Sequence, residues 1–535
     1  MSTSPEMHKE SSATEDPAPA PDNRSWAASA RLFILLQVLS RLATFALNQF
    51  LVRLTSPEVL GAASIQFELL TGFVLTAARE GVRCVVLREG GQPELDGNLS
   101  VAAVAVGLVL DAACAGLYLF RASEELRASP YFASAVALFA LGTALELFSE
   151  PLYHAVRSDV RVRVRAEALA VGTSCVTVLA SMAAPVWFGI DASGGATYGL
   201  VCYGLGRTAF GLTLLVSYAW AARKPFYALR LRRHKDGNYL SPTALSLTWA
   251  MGQQALLKHV LGEADKLAVS WLGTLQDQGG YALASNYGSL VVRLLFQPIE
   301  EATRIAFSRT MTNATKPQLD AAVGTLSTLF RLHVLLGSFF VTFGPPLARI
   351  AIWILAGRQW ACETAAPALL GAYACYIPML GLNGLAEGFL TATATAPQLA
   401  RYNRVLIGSS GVFLASLAVL QRIAPHAPTA LIWSSILSAG ARGAYSAWHM
   451  LGFFAAHGGP PDARARLSPA QLLPSPILLA ALFGARAYLS ARPPDACPAS
   501  PELADLITAA SLAVVCGALA LYTERNTLRS IRSAL

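Results

Sequence analysis

Arginine, lysine and glutamate side chains stand inside long apolar stretches of this sequence. The basic residues whose types and positions could bind an anion are Arg41, Arg79, Arg83, Lys258 and Arg293. A guanidinium group binds phosphate oxygens in pairs, whereas an ammonium group attracts them as a point charge. Fixed cations that share one cavity would therefore suit an anionic ligand such as a diphosphate.

A second set of residues combines acids with bases at helical spacing. Glu80 lies three residues before Arg83, and Glu301 lies three residues before Arg304, so each pair shares one helix face. Together with the neighbouring Gln297, we interpret this set as ion-pairing or gating residues: Glu80, Glu263, Lys266, Gln297, Glu300, Glu301 and Arg304. The alternative for all of these charges is that they only tie helices together or, near helix ends, reach the membrane surface.

The elements that carry these residues are apolar runs of roughly 20 residues, enough for one membrane crossing each. Hydrophobic residues make up 54% of the 535 positions and charged residues 14%, whereas soluble domains have about 25% charged residues. The sequence therefore predicts an all-α polytopic membrane protein with about 14 transmembrane helices. The predicted runs are 28–54, 59–84, 99–120, 131–155, 166–190, 194–222, 242–274, 279–308, 320–356, 363–392, 397–421, 428–453, 468–490 and 503–523.

Three of these runs depart from the simple pattern. The stretch 242–310 is long enough for two crossings yet rich in charge, and a charge at bilayer depth costs about 2.5–3.5 kcal/mol on insertion scales. We therefore expect its two helices to line a polar cavity. In the run 320–356, the sequence Gly344-Pro345-Pro346 is expected to kink or divide the helix, because proline cannot donate the helical hydrogen bond.

The order of the runs predicts an internal repeat. Glu-x-x-Arg recurs at a similar depth in the second and eighth runs, and six crossings per unit return the chain to the same side of the membrane. We expect two six-helix bundles, related by a pseudo-two-fold axis along the membrane normal, around a central cationic cavity. The expected parts are a disordered cytosolic tail at 1–27, bundles at 28–222 and 242–453, a basic cytosolic linker at 223–241, and helices 13–14 with a cytosolic tail at 454–535.

Basic residues predict the orientation. Lysine and arginine are about four times as frequent in the even-numbered connections and the tails as in the odd-numbered connections. Since cytosolic loops carry the excess of positive charge, both termini are expected in the cytosol. The three glycosylation sequons, at Asn23, Asn98 and Asn313, then fall on the cytosolic side and should stay unmodified.

Several function classes are disfavoured by what the sequence contains. The net charge of +8 sits mainly in short loops, where membrane lipid headgroups are a simpler partner than nucleic acid. No phosphate-binding loop for ATP and no CxxC pair occurs, so we expect neither an ATP-driven pump nor a metal site, and no cofactor. Glu263-Ala-Asp265 matches an acidic pattern of membrane glycosyltransferases but lies within an apolar run, so an enzyme is not expected.

Four blocks of the sequence carry a family resemblance. They are LLQVLSRLATFALNQFLVRL and LLTGFVLTAAREGVR in the first 90 residues, then GEADKLAVSWL and NYGSLVVRLLFQPIEE in the centre. These blocks resemble the eukaryotic endoplasmic-reticulum oligosaccharide-diphosphodolichol (Man5GlcNAc2-PP-dolichol) translocation proteins. That family belongs to the multidrug/oligosaccharidyl-lipid/polysaccharide exporter superfamily. The resemblance runs from about residue 28 to 310, is most specific in LLFQPIEE, and is fainter beyond.

The resemblance implies a fourteen-helix flippase whose cavity opens alternately to either side of the endoplasmic reticulum membrane. Its substrate would be a dolichol-diphosphate oligosaccharide that moves from the cytosolic to the lumenal leaflet for protein N-glycosylation. By motif, the polar positions that carry over from AREGVR and VVRLLFQPIEE are Arg79, Glu80, Arg83, Arg293, Gln297, Glu300 and Glu301. From GEADK only Glu263 and Lys266 carry over.

The sequence leaves more than one function open. A flippase and a non-transporting accessory or lipid-binding factor in lipid-linked oligosaccharide assembly would use the same cavity charges. An exporter of cationic drugs would need an acidic cavity, which the basic residues of helices one, two, seven and eight disfavour. Neither the energy source nor any protein partner follows from the residues.

Overall fold

The structure is a computed structural model in which the described residues from Leu47 onward form one packed unit. The preceding unit, Met1–Ala46, lies outside the described residues except for its last position, and so does Arg41. Within the described part of the chain every regular element is a helix. The described ranges are 46–88, 93–157, 159–188, 198–222, 231, 239–311, 314–425, 427–491 and 503–525.

The described residues of the first half contain six helical elements. In α2, two π-helical segments, Ala62–Phe67 and Thr76–Glu80, separate the α-helical segments Pro57–Gly61, Glu68–Leu75 and Gly81–Arg88. The others are α1 (47–54), α3 (Pro93–Arg121), α4 (Phe132–Phe148 continuing as Glu150–Ala155), α5 (Val160–Trp187) and α6 (Gly199–Ala221).

The described residues of the second half contain eight longer helical elements. They are α7 (Pro242–Gly262 and Ala264–Leu272), α8 (Leu275–Val291, a π-helical Val292–Phe296, and Gln297–Thr310), α9 (Lys316–Ala356), α10 (Ala366–Thr393), α11 (Ala396–Ile423), α12 (Ala430–Ala456), α13 (Pro476–Ser490) and α14 (Leu503–Thr523). Short helices Glu124–Ala128, Arg358–Cys362, Ala463–Arg466 and Pro469–Leu472 lie in the connections.

Nine of the described helices are long and apolar enough to cross a membrane: α2 to α6, α9 to α11, and α14. This confirms an all-α multi-pass membrane protein, while the number of fourteen crossings stays a prediction. Helices α7 and α8 are not among the nine because of the polar residues that they carry. Trp187, Trp220 and Trp271 lie near helix ends and are 82–92% exposed, as expected for aromatic side chains at a membrane–water interface.

Local signals in the sequence set several helix starts. The Thr274 hydroxyl and the Asp277 carboxylate cap each other's backbone N–H groups at the start of α8, and Thr315 and Gln318 do so at α9. Only Gly273 and Thr274 separate α7 from α8. The two charged helices are therefore consecutive and closely joined.

The ninth run is not divided at 344–346, because α9 is one continuous helix over Lys316–Ala356, and the predicted kink at this position stays a prediction. Pro345 cannot donate an N–H to the Val341 carbonyl four residues earlier. The Arg486 guanidinium on α13 donates to that carbonyl instead. A side chain from a distant helix therefore satisfies the hydrogen bond that proline removes.

Close helix packing organises each half. Helix α6 packs between α4 and α5, and α10 packs against α8, α9 and α12. A Cβ added to Gly142 would lie 2.7 Å from the Arg207 carbonyl, and one on Gly337 would lie 2.4 Å from the Cβ of Pro378. The predicted tail 1–27 and most of the linker 223–241 lie outside the described residues, so the predicted domain boundaries stay predictions.

Candidate functional site

A cavity of about 510 Å³ lies between the first and second halves of the chain, and we name it the central cavity. Its walls come from α1, α2 and α6 on one side and from α7, α8 and α10 on the other. The charged residues in its lining are Glu68, Asp265, Lys266 and Arg293. Its uncharged polar lining comprises Asn48, Ser64, Tyr203, Tyr281, Ser285, Asn286, Ser289 and Tyr373.

Helix α8 presents one polar face to this cavity. Ser285, Ser289 and Arg293 recur at intervals of four residues, which places them on the same side of the helix. Arg293 Nη2 donates to Asn286 Oδ1 and to Ser289 Oγ, both at 3.1 Å, and the side chain is exposed. The guanidinium is thus oriented by its own helix while it lines the cavity.

Arg293 also lies in a π-helical segment, Val292–Phe296. Pro298 follows this segment and lacks the N–H that the Leu294 carbonyl would bond in an α-helix. Such segments are rare within helices and recur at functional sites. The local sequence therefore accounts for the changed helix geometry at the position of this arginine.

Lys266 brings both halves of the chain together at the cavity. Its Nζ lies 2.9 Å from Glu263 Oε2 on the same helix and 3.8 Å from Glu68 Oε2 on α2. Beside it, Tyr281 Oη donates to Asp265 Oδ2 at 2.5 Å. The described lining therefore balances two acids against two bases, rather than showing the cationic excess expected from the sequence.

Arg79 and Arg83 do not line the central cavity. Arg79 Nη1 lies 2.6 Å from Glu146 Oε1, and Arg83 binds both oxygens of Glu150 at 2.5 and 2.6 Å. Glu146 is 6% exposed and Glu150 1% exposed. Both arginines are therefore held in a buried ionic network between α2 and α4.

The same network extends to α6 and to the start of the AREGVR block. Arg207 Nη2 lies 2.5 Å from the second oxygen of Glu146, and Glu80 lies 3.6 Å from Arg83. The Arg83 guanidinium stacks 4.5 Å from the centre of the Tyr153 ring. We name Arg79, Arg83, Arg207, Glu80, Glu146 and Glu150 the N-terminal ionic network.

The acidic partners in this network are what inspection of the sequence missed. Glu146 and Glu150 were visible as charges within a predicted crossing but were assigned no partner. Their spacing of four residues repeats the spacing of Arg79 and Arg83, and the sequence separation is 67 residues in both pairs. Matching charge intervals on two helices that run in the same direction are the signal that could have identified the pairing.

Lys258 lies in a different cavity from Arg293. This second cavity, about 360 Å³, lies among α7, α10, α11 and α12. Its charged lining residues are Lys258, Asp265, Glu387 and Arg442, and four serine residues also line it. Asp265 contributes to both cavities, so the two spaces adjoin at that residue.

The LLFQPIEE block lines a third cavity, also of about 360 Å³, between α8 and α10. Its lining residues are Gln297, Glu300, Glu301, Arg304, Glu387, Gly388 and Thr391. Arg304 Nη2 lies 3.3 Å from Glu301 Oε1, and both side chains are at least half exposed. A Cβ added to Gly384 would lie 2.4 Å from Glu300 Oε2, so glycine at that position makes room for the carboxylate.

Contacts between the two halves lie at one end of the central cavity, where Val52 and Leu60 belong to its lining. The Arg53 guanidinium donates to the carbonyls of Ile354 and Leu355, and Trp360 Nε1 donates to the Val52 carbonyl at 3.0 Å. These contacts join the end of α1 to the end of α9.

Helices α2 and α8 cross at the same end. A Cβ on Gly61 would lie 2.2 Å from the Leu275 carbonyl, and one on Gly279 would lie 2.0 Å from the Pro57 carbonyl. Close backbone approach therefore requires glycine at this crossing. We name the contacts of Arg53, Gly61, Gly279 and Trp360 the closed end.

Curated proteins of a single name are similar to this chain over most of its length. The curated relatives include proteins named Man(5)GlcNAc(2)-PP-dolichol translocation protein RFT1. The one from Yarrowia lipolytica is 28% identical, covering 90% of this chain and 80% of the relative. The one from Saccharomyces cerevisiae is 28% identical (72% and 75%), and the one from Mus musculus is 28% identical (71% and 74%).

Two solved structures share the fold. Lipid II flippase MurJ in its inward closed conformation aligns with a TM-score of 0.59 at 14% identity, covering 92% of this chain and all of that chain. An inward-facing multidrug resistance MATE family transporter of the MOP superfamily aligns with a TM-score of 0.55 at 12% identity, covering 77% and 94%. The model of the Rft-1 family (Rft protein) matches residues 25–534, almost the whole sequence, and the chain therefore belongs to the Rft-1 family.

Proposed function

We propose that this protein moves a dolichol-diphosphate-linked oligosaccharide from the cytosolic to the lumenal leaflet of the endoplasmic reticulum membrane, for protein N-glycosylation. The observation that carries the proposal is the central cavity, which places Arg293 and Lys266 among hydroxyl and amide groups between two halves of a membrane protein. Basic groups suit a diphosphate, and hydroxyl and amide groups suit sugars. The curated relatives are named for this translocation.

The residues divide into two roles under this proposal. Arg293 binds the diphosphate, with Lys266 beside it and Arg41, from the sequence pattern, as a further cation. Lys258 would contact a part of the headgroup that reaches the second cavity. Arg79 and Arg83 hold α2 against α4 rather than binding substrate, because carboxylates already occupy both guanidinium groups.

The predicted orientation places the closed end on the lumenal side. One observation supports that orientation. Cys362, which follows α9 at the closed end, is disulfide-bonded, and disulfides persist in oxidising compartments such as the lumen. Asn98, one of the sequons, is 2% exposed and donates to the Tyr239 carbonyl at 2.6 Å, so it has no room for a glycan on either side of the membrane.

The test is leaflet exchange of a labelled dolichol-diphosphate oligosaccharide in vesicles that contain the purified protein. Exchange faster than in protein-free vesicles is expected, and it should be absent for a dolichol carrying a neutral headgroup. Binding of the lipid without accelerated exchange would contradict the flippase and favour the accessory, lipid-binding role. Absence of both binding and exchange would refute both functions.

A further inference from the structure

An ion pair crosses from α2 to α7 at the edge of the central cavity. Lys266 Nζ lies 3.8 Å from Glu68 Oε2 and 2.9 Å from Glu263 Oε2, so one ammonium group serves an acid from each half of the chain. We name this three-residue group the lysine latch. Glu68 and Lys266 both line the cavity in which the proposed substrate would bind.

We propose that the lysine latch responds to the substrate's diphosphate. The anion displaces the Glu68 carboxylate from Lys266 and so breaks this contact between α2 and α7. The inference rests on the proposed function and adds to it a residue pair through which headgroup binding favours opening of the closed end. A ligand shifts a conformational equilibrium only by binding one state better than the other. The latch supplies that difference, because the Glu68 contact and the diphosphate contact compete for one ammonium group.

The geometry makes Glu68 the partner that an anion can displace. Glu68 is 63% exposed and lies at the outer limit of ion-pair distance, whereas Glu263 is closer and less exposed. A diphosphate carries more negative charge than one carboxylate and interacts more strongly with the same cation at equal distance. By contrast, Glu150 is buried and binds Arg83 through both carboxylate oxygens, so an anion cannot displace it as easily as Glu68.

The position of Glu68 connects the latch to the closed end. Glu68 directly follows the π-helical segment Ala62–Phe67, which begins next to Gly61 at the α2–α8 crossing. Within the same segment, Gln66 Nε2 donates to Gln278 Oε1 on α8 at 2.9 Å. Because the latch and the crossing lie about two turns apart on one helix, release of Glu68 acts on the segment that holds the two halves together.

The charge arrangement also predicts selectivity. Glu68 and Asp265 both line the cavity and repel an anion, so entry is favoured only for a ligand that can recruit Lys266 and Arg293 together. A diphosphate can contact both cations, whereas a single phosphate has fewer oxygens and less charge. The latch should therefore respond more strongly to pyrophosphate than to orthophosphate.

Spin labels across the closed end test the proposal directly. Labels at Glu125→Cys and Gln359→Cys, two exposed positions at this end, would report the distance between the halves in the reconstituted full-length chain. We expect pyrophosphate to raise the long-distance population more than equal orthophosphate. Glu68→Gln should raise it about fivefold without ligand, equivalent to about 1 kcal/mol, and should abolish most of the pyrophosphate response.

The matched control is Asp320→Asn, which should leave the distances unchanged. It removes an exposed acid on α9 from its ion pair with Arg466, in the short helix Ala463–Arg466. The double variant Glu68→Lys, Lys266→Glu should restore the closed population while losing the pyrophosphate preference. Unchanged distances in Glu68→Gln together with an intact pyrophosphate response would overturn the latch. Lipid exchange in wild-type vesicles is measured separately, so failure of the proposed transport is distinguishable from failure of the latch.

Discussion

The motif Glu-x-x-Arg occurs in α2 and in α8 with very different surroundings. In α2, Glu80 and Arg83 belong to the N-terminal ionic network, where α4 supplies buried carboxylates. In α8, Glu301 and Arg304 pair only at the surface of the third cavity, and α10 places glycines next to the helix. The neighbouring helix, rather than the motif, therefore decides whether such charges stabilise the fold or remain available to a ligand.

The difference has an energetic consequence. Removing one partner of a buried ion pair costs about 3–5 kcal/mol because the other charge stays buried alone, whereas exposed pairs contribute about 0–1 kcal/mol. We therefore expect the N-terminal ionic network to matter for stability and the charges of α7 and α8 to matter for ligand binding.

The largest expected effect is that of Glu150→Ala. Its carboxylate is 1% exposed and binds Arg83 through two hydrogen bonds, so the variant should lose about 3–5 kcal/mol of stability. Thermal unfolding of the purified protein in detergent measures this loss. Since the two residues are coupled, the double variant Arg83→Ala, Glu150→Ala should lose less than the sum of the two single variants. A melting temperature of Glu150→Ala equal to that of the wild type would contradict the stabilising role of the N-terminal ionic network.

Gly142→Ala tests the same network through the backbone. The added Cβ would lie 2.7 Å from the Arg207 carbonyl, so α6 would have to move away from α4 and from Glu146. Overpacking of this kind costs about 1–3 kcal/mol. Chemical or thermal unfolding of the variant measures the cost, and full wild-type stability would show that α6 is not held as tightly as the structure indicates.

Gly384→Ala is the matched change in the second half, and its effect should be smaller. Its Cβ would meet Glu300 Oε2, the free end of a flexible side chain that can turn away. We expect a loss of stability below about 1 kcal/mol. A loss of stability as large as that of Gly142→Ala, in the same unfolding assay, would show that α8 and α10 pack as tightly as α4 and α6.

Glu301→Gln should have the smallest effect on stability. Its ion pair with Arg304 is exposed on both sides, so the expected change in unfolding free energy is about 0–1 kcal/mol. The same unfolding experiment compares Glu301, within one copy of the motif, with Glu150, the buried partner of the other copy's arginine. Equal losses in the two variants would remove the distinction.

Much of the fold follows from the residues themselves. Apolar runs predict the helices, and the charges of 242–310 predict that α7 and α8 line a cavity, as the positions of Lys266 and Arg293 confirm. The sequence did not reveal which face of α2 packs against α4, because Glu146 and Glu150 lie 67 residues from their partners. It could not predict that α9 stays continuous either, since the group that donates to the Val341 carbonyl is 145 residues away, on Arg486.

The roles of single residues could not be predicted either, because they depend on contacts between residues that are far apart in the sequence. Lys258 and Lys266 lie on one charged stretch, yet they line different cavities. Helix α7 is interrupted at Glu263 between them, so regular helical spacing does not continue from one lysine to the other. Arg79 and Arg83 resemble anion-binding residues in the sequence, because their acidic partners on α4 become apparent only in the fold. Charge type is visible in a sequence, whereas the packing that neutralises a charge is tertiary.

The central claim is that the cations of the central cavity act on the substrate. The most direct measurement is leaflet exchange of the dolichol-diphosphate oligosaccharide by Arg293→Ala beside Arg121→Ala, a control at an exposed arginine at the end of α3. For Arg293→Ala we predict exchange at least about tenfold slower, because a charge-assisted hydrogen bond contributes about 1.5–3 kcal/mol. The melting temperature of this variant should be unchanged. The control Arg121→Ala should exchange the lipid at the wild-type rate. Wild-type exchange by a folded Arg293→Ala protein would contradict the account.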